Sequence, residues 1–170
     1  MLATPCDDWR VHDLISHIVG ATRFFGDVAE WGSSPEDQEW PDYSDGDFTA
    51  SFGERARRAV AAFSAPGAMG RIMELPSGAT PGARCIEVAV GDIFVHGWDL
   101  AKATGQTAPA DQGVAAALLS AEYAALCAEV RNSDQPPFAP EISLPGDAPA
   151  VDRLAAFPGR DPAWSGVLPR

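Results

Sequence analysis

Asp92 and His96 stand four residues apart in the apolar run Asp92-Ile93-Phe94-Val95-His96. On an α-helix four residues advance about 400° and rise about 6 Å, so a carboxylate and an imidazole at this spacing sit one turn apart on one face, within reach of a common ion. Of the three histidines in the chain, His17 lies in a second apolar-periodic run, Asp13-Leu14-Ile15-Ser16-His17-Ile18-Val19. His12, five residues earlier and about 140° around that helix, is expected in solvent. His17, Asp92 and His96 are therefore the candidate ligands of a divalent metal. Three ligands from two helices leave a coordination position open for water or substrate, as catalytic ions require, whereas structural zinc is closed by four ligands, commonly cysteines. Cys6, Cys85 and Cys127 lack a Cys-x-x-Cys spacing, which argues against a structural zinc knuckle. Spacing alone also suits plainer readings, an Asp–His hydrogen bond within one helix or a histidine at the core boundary.

Two neighbouring groups bear on that chemistry. Asp99 follows His96 by three residues and could orient it, although a solvated or N–H-capping carboxylate near a helix end is the preferred reading. Cys6 precedes the His17 helix and could approach an ion or form a mixed disulfide with a substrate thiol; a small buried residue in the leading loop is preferred. Cys85 and Cys127 are expected in the core, and Trp9, Trp31, Trp40, Trp98 and Trp164 at core or edge positions.

The elements that must position these groups read as helices. The first runs to about Trp31, with Asp8 a candidate N-cap, apolar residues Val11, Leu14, Ile15, Ile18, Val19, Phe25 and Val28 in helical period, and Gly32-Ser33-Ser34-Pro35 as its stop. Glu36 to Asp47 holds six acidic residues but fails the calcium-loop pattern, because aligning Gly46 with the invariant glycine puts Phe52 at the bidentate glutamate. A solvated loop is expected there. A second helix follows from about Thr49 to Ser64, with Phe52, Ala56, Ala59, Val60 and Phe63 on its core face and Ala65-Pro66-Gly67 as its end. Arg71 to Gly82 reads as a loop or small hairpin around Ile72-Met73-Glu74-Leu75. Thr80 as N-cap and Pro81 as first residue open a third helix that carries Asp92 and His96 and ends at Thr104, with Gly105 as C-cap. A fourth helix is expected from Ala110 to about Val130 and a fifth from Ala148 to Phe157, separated by the proline-rich loop Gln135 to Pro149. The fold class is all-α, a helical bundle with irregular loops.

A chain of 170 residues, 46% hydrophobic, has the length of one domain, residues 1–170, with a single core. With 24 acidic against 12 basic residues its formal charge of −12 repels phosphate backbones and anionic lipid, so no nucleic-acid partner is expected. No apolar run approaches the roughly 18 residues of a membrane span. Neither a Gly-rich phosphate loop nor a Gly-x-Ser-x-Gly elbow occurs. Scattered cysteines, with no cationic segment preceding an apolar run at Met1, suggest a reducing, cytoplasmic setting. Lys102 is the sole lysine among mostly arginine basic residues. That bias, with abundant alanine, glycine and proline, suits a GC-rich, actinobacterial genome.

Thr4-Pro5-Cys6-Asp7-Asp8-Trp9-Arg10-Val11-His12-Asp13-Leu14-Ile15-Ser16-His17-Ile18-Val19-Gly20 and Val95-His96-Gly97-Trp98-Asp99-Leu100-Ala101-Lys102-Ala103-Thr104-Gly105 resemble the metal-binding domain of the mycothiol-dependent maleylpyruvate isomerase group. Ala65-Pro66-Gly67-Ala68-Met69 and Gly159-Arg160-Asp161-Pro162 extend the resemblance. It implies a DinB-like bundle in which a divalent ion, zinc first and nickel or another metal as alternatives, is held by His17, Asp92 and His96. The characterised isomerase has glutamate where this chain has Asp92, and it carries an additional C-terminal region. Relatives also have a helix before the Thr-Pro-Cys segment, so either the start is truncated or the bundle lacks the family's first helix, and a homodimer covering the apolar face so left open is expected. The function implied is a metal-dependent thiol transferase or isomerase, using mycothiol as cosubstrate and a small electrophile as substrate. A metal-dependent hydrolase and a non-enzymatic metal-binding module are the alternatives.

Overall fold

The structure, a computed structural model, describes residues 2–6, 9–34, 41–108, 111–120, 131 and 138–166. These form mostly helix: α1 (Val11–Trp31), α2 (Phe48–Phe63), α3 (Gly82–Thr104), α4 (Gln112–Leu118) and α5 (Ala150–Ala156), with one antiparallel hairpin of β1 (Ile72–Leu75) and β2 (Gly78–Pro81). They fall into two compact units, His12–Ile93 on the one hand and Met1–Val11 with Phe94–Arg170 on the other.

In the His12–Ile93 unit the core gathers Ala21, Phe25, Val28 and Ala29 of α1 with Phe63, Met73, Cys85 and Ala89. The apolar period of α1 holds to its end, where the Gly32 amide donates to the Val28 carbonyl at 2.8 Å and Gly32 takes a φ of 89°, a conformation open to glycine without strain. Helix α2 begins where the Asp47 carboxylate accepts from the Ala50 amide at 2.8 Å. One residue read into its core face is misplaced: Val60 is 67% exposed. It lies beyond the edge of a narrow stripe formed by Phe52, Ala56, Ala59 and Phe63, which a helix this close to the surface is too shallow to widen.

The hairpin pairs Ile72 with Pro81, Met73 with Thr80, Glu74 with Ala79 and Leu75 with Gly78. Alternation turns Met73 and Thr80 inward and leaves Ile72 exposed. Thr80 and Pro81 therefore close a strand and do not open α3, which starts at Gly82. A cross-strand ladder, invisible to local capping rules, takes them. Gly82 is pressed against the Ala68 carbonyl oxygen so closely that a β-carbon there would overlap it. The hairpin is tied to the end of α1 by the Glu74 amide, which donates to the Gly32 carbonyl at 2.8 Å.

The second unit packs Val95 and Trp98 of α3 with Ala115, Leu118, Val151, Leu154 and Ala155. Helix α3 ends as its sequence implies: Gly105 has a φ of 69°, and the Gln106 and Gly105 amides donate to the Ala101 and Lys102 carbonyls at 2.8 and 3.3 Å. This closure satisfies carbonyls that the last turn would otherwise leave open. Asp111 caps α4 by accepting from the Val114 amide at 3.0 Å, and the helix starts at Gln112; Ala110, where the fourth helix is expected to begin, lies outside the described residues. Residues 121–130, the remainder of the expected fourth helix, lie outside the described residues, as does Asp8. Helix α5 is shorter at both ends than the Ala148–Phe157 expected, beginning after Pro149. At the N-terminal side the Thr4 hydroxyl donates to the Trp9 carbonyl at 2.8 Å and accepts from the Cys6 amide at 3.1 Å, and Ala3 pairs with Arg10. That knot fixes where Cys6 sits.

Candidate metal centre

His17 sits on α1 between the buried Leu14 and Ile18, and its ring is about a quarter exposed. Its Nε2 lies 3.2 Å from each carboxylate oxygen of Asp92 on α3. The ring nitrogen thus faces the open end of the carboxylate symmetrically. The short aspartate side chain reaches the histidine across from α3 to α1. Three groups of one His–carboxylate–His set are candidates, and this contact joins the first two. The third, His96, follows Asp92 by one helical turn on α3.

His96 is nearly buried, and its Nδ1 lies 3.0 Å from Asp99 Oδ2. Asp99 is wholly buried at 0% exposure, which overturns its reading as a solvated or end-capping carboxylate. Its counter-charge is Arg160, 7% exposed, whose Nε donates to both Asp99 oxygens at 3.3 Å and whose Nη2 donates to Oδ2 at 3.1 Å. A buried carboxylate persists as an anion only when paired and hydrogen-bonded. Burial is the largest influence on its proton and acts to raise the pKa, but the hydrogen bond from His96 and the charge and hydrogen bonds of Arg160 together outweigh it and hold the group below the usual carboxylate range.

Arg160 Nη2 also donates to the Cys6 sulfur at 2.6 Å, and the Cys6 thiol lies 3.5 Å from Asp99 Oδ2. Cys6 is consequently part of a polar cluster and more than a filler of the leading loop. The Trp9 ring lies 5.3 Å from the His96 ring, tilted by 33°. The ligand atoms of Cys6, His96 and Asp99 fall within 4.8 Å of one another, a spacing that could hold a metal. Electrostatics argue against an ion in that position, because the Arg160 cation already occupies the approach to both Cys6 and Asp99.

His12 stands apart from these groups. Its Nε2 pairs with Asp42 at 2.8 Å and its Nδ1 with Asp13 at 3.3 Å. The hydrogen bond with Asp13, helped by the charge and hydrogen bond of Asp42, raises its pKa above the ordinary value. Cys85 is fully buried, as expected, and burial pushes its thiol up to about 11. Trp98 is core, whereas Trp31 is 61% exposed beneath the Arg58 guanidinium, 4.6 Å from the ring centre. Trp40 and Cys127 lie outside the described residues. Arg160 is the site residue that sequence reasoning did not single out. The position of Asp99, three residues from His96 on one helix face, was the signal available for its buried partner.

The described residues thus define a mostly helical protein with candidate metal-ligand groups on its long helices. Residues 2–101 match the family described as Mycothiol maleylpyruvate isomerase N-terminal domain, and the chain belongs to that family. It is 39% identical over 157 residues to Uncharacterized protein Rv0738 of Mycobacterium tuberculosis (strain ATCC 25618 / H37Rv), covering 92% of this chain and 82% of the relative. Uncharacterized protein MT0763 of Mycobacterium tuberculosis (strain CDC 1551 / Oshkosh) is similar to the same extent, 39% over 157 residues with 92% and 82% covered. No solved structure matches the chain. Among the described residues, no helix is long and apolar enough to cross a membrane.

Proposed function

We propose that the chain is a single DinB-like domain in which His17, Asp92 and His96 hold one divalent ion that serves thiol chemistry. The observation that carries this reading is the approach of His17 Nε2 to within 3.2 Å of both Asp92 oxygens, with His96 one turn further along α3. Two imidazoles and one carboxylate form a donor set that zinc accepts, with nickel also suited to imidazole. When bound, such an ion holds a thiol sulfur as thiolate at neutral pH. The chain's own part is to present two neutral ring nitrogens and one negative charge, and to keep a coordination position for the incoming thiol. Family membership favours mycothiol as that thiol and a small electrophile as its target, in a cytoplasmic, reducing setting.

The test is to measure metal content of freshly purified protein, then to incubate the zinc form with mycothiol and a chromogenic electrophile, alongside ester and amide substrates with thiol withheld. Turnover that needs both ion and thiol is expected. Ester turnover at the same rate without thiol would make the protein a metal-dependent hydrolase. An ion bound with no turnover of either kind would leave a metal-binding module.

A further inference from the structure

We propose that Asp99, clamped by Arg160, is a positioning residue that fixes the His96 ring with its proton on Nδ1 and so makes Nε2 the ligating atom. This rests on the metal reading of His96 given above. An ionised carboxylate only accepts hydrogen bonds, so the ring nitrogen 3.0 Å from Asp99 Oδ2 must be the one that carries the proton. A neutral imidazole has one N–H, and its lone pair then resides on Nε2, the nitrogen turned away from Asp99.

The clamp itself is over-determined. The planar guanidinium spans both carboxylate oxygens and removes the freedom of the carboxylate to rotate about its last bond. Arg160 is held in turn by its Nη1, which donates to the Pro158 carbonyl at 3.1 Å, and by the Cys6 sulfur against Nη2. Outer partners of this kind orient metal-bound histidines and raise their basicity. Here the outermost member lies 61 residues beyond Asp99 and outside residues 2–101, which carry the family match.

A purely structural ion pair would stabilise the fold without dictating a tautomer, so the decisive readout is the ring proton. Two-bond proton–nitrogen NMR spectra of metal-free protein carrying isotope-labelled histidine, at neutral pH, are expected to show His96 protonated at Nδ1. In Asp99→Asn that pattern is expected to give way to the Nε2-protonated form, and zinc affinity to fall about 10–100-fold. Arg160→Gln should move both in the same direction by less. His96 protonated at Nε2 in the wild type overturns the proposal without recourse to any variant that has to fold. Equal zinc affinity and an unchanged pattern in Asp99→Asn overturn it equally, while leaving the metal reading intact. An Nδ1 pattern that Asp99→Asn abolishes, in a protein that takes up no ion, upholds the positioning and defeats the metal reading.

Discussion

The Arg160 guanidinium meets the Asp99 carboxylate with Nε at 3.3 Å from both oxygens and Nη2 at 3.1 Å from one, and the carboxylate is wholly buried. Removing one partner of such a pair leaves an uncompensated buried charge, which costs about 3–5 kcal/mol. Arg160→Met should therefore destabilise the protein by that order in urea unfolding. The double variant Arg160→Met with Asp99→Leu should cost less than Arg160→Met alone. A loss below about 1 kcal/mol in the single variant would mean that water reaches Asp99 when the arginine leaves.

One divalent ion per chain is expected in the wild type, with loss in His17→Ala, Asp92→Ala and His96→Ala and retention in His12→Ala. Elemental analysis of the five proteins decides. Full occupancy in both His17→Ala and His96→Ala would dismiss the triad, and loss in His12→Ala would make His12 a ligand. Occupancy should also fall in acid, since both imidazoles must be neutral to ligate.

Cys85 is buried with its pKa pushed up to about 11, so its thiol should resist alkylation in the native protein near neutral pH, while the half-buried Cys6 reacts. Unfolding in urea should erase the difference, read by mapping the labelled peptides. The sign of the linkage follows from the raised value. An unfolded chain releases this proton first, from the ordinary 9.0, so the contribution of Cys85 to stability is lost as pH rises from there towards about 11. Rapid alkylation of Cys85 in native protein would contradict its burial.

His12 has a raised pKa and Asp42 a lowered one, the latter first through the hydrogen bonds it accepts from Ser44. Asp42 thus stays charged across the range in which His12 titrates. A raised histidine contributes stability fully below its ordinary value of 6.5, and that contribution is lost as pH rises through the folded value. Ser16 also holds this stretch, accepting from the Tyr43 amide at 3.1 Å. Corrected for the intrinsic rate, amide exchange across residues 42–47 should quicken on that rise, and His12→Gln should flatten the dependence. An unchanged profile in His12→Gln would show that Ser16 alone fastens the segment.

What was legible in the sequence is what the chain writes locally. Gly32 and Gly105 stop α1 and α3 because both need a positive φ, and the apolar period of α1 and α3 places His17, Asp92 and His96 on helices. Thr80 and Pro81 were misread because their strand partners, Ile72 and Met73, supply hydrogen bonds that no capping rule contains. Asp99 was misread for a related reason. Near the end of a helix a carboxylate is ordinarily solvated, and only a cation brought from far along the chain makes its burial tolerable.

That dependence sets an order of events during synthesis. Residue 160 leaves the ribosome after the whole of α3, so for that interval the Asp99 carboxylate has no counter-charge to be buried with. The Asp99 turn of the helix should then stay hydrated, held back from its final packing until the arginine emerges. A chain cut after Thr104 would meet the same obstacle permanently, so the turn of α3 that carries Asp99 should depend for its final packing on residues that lie beyond the family-matching stretch.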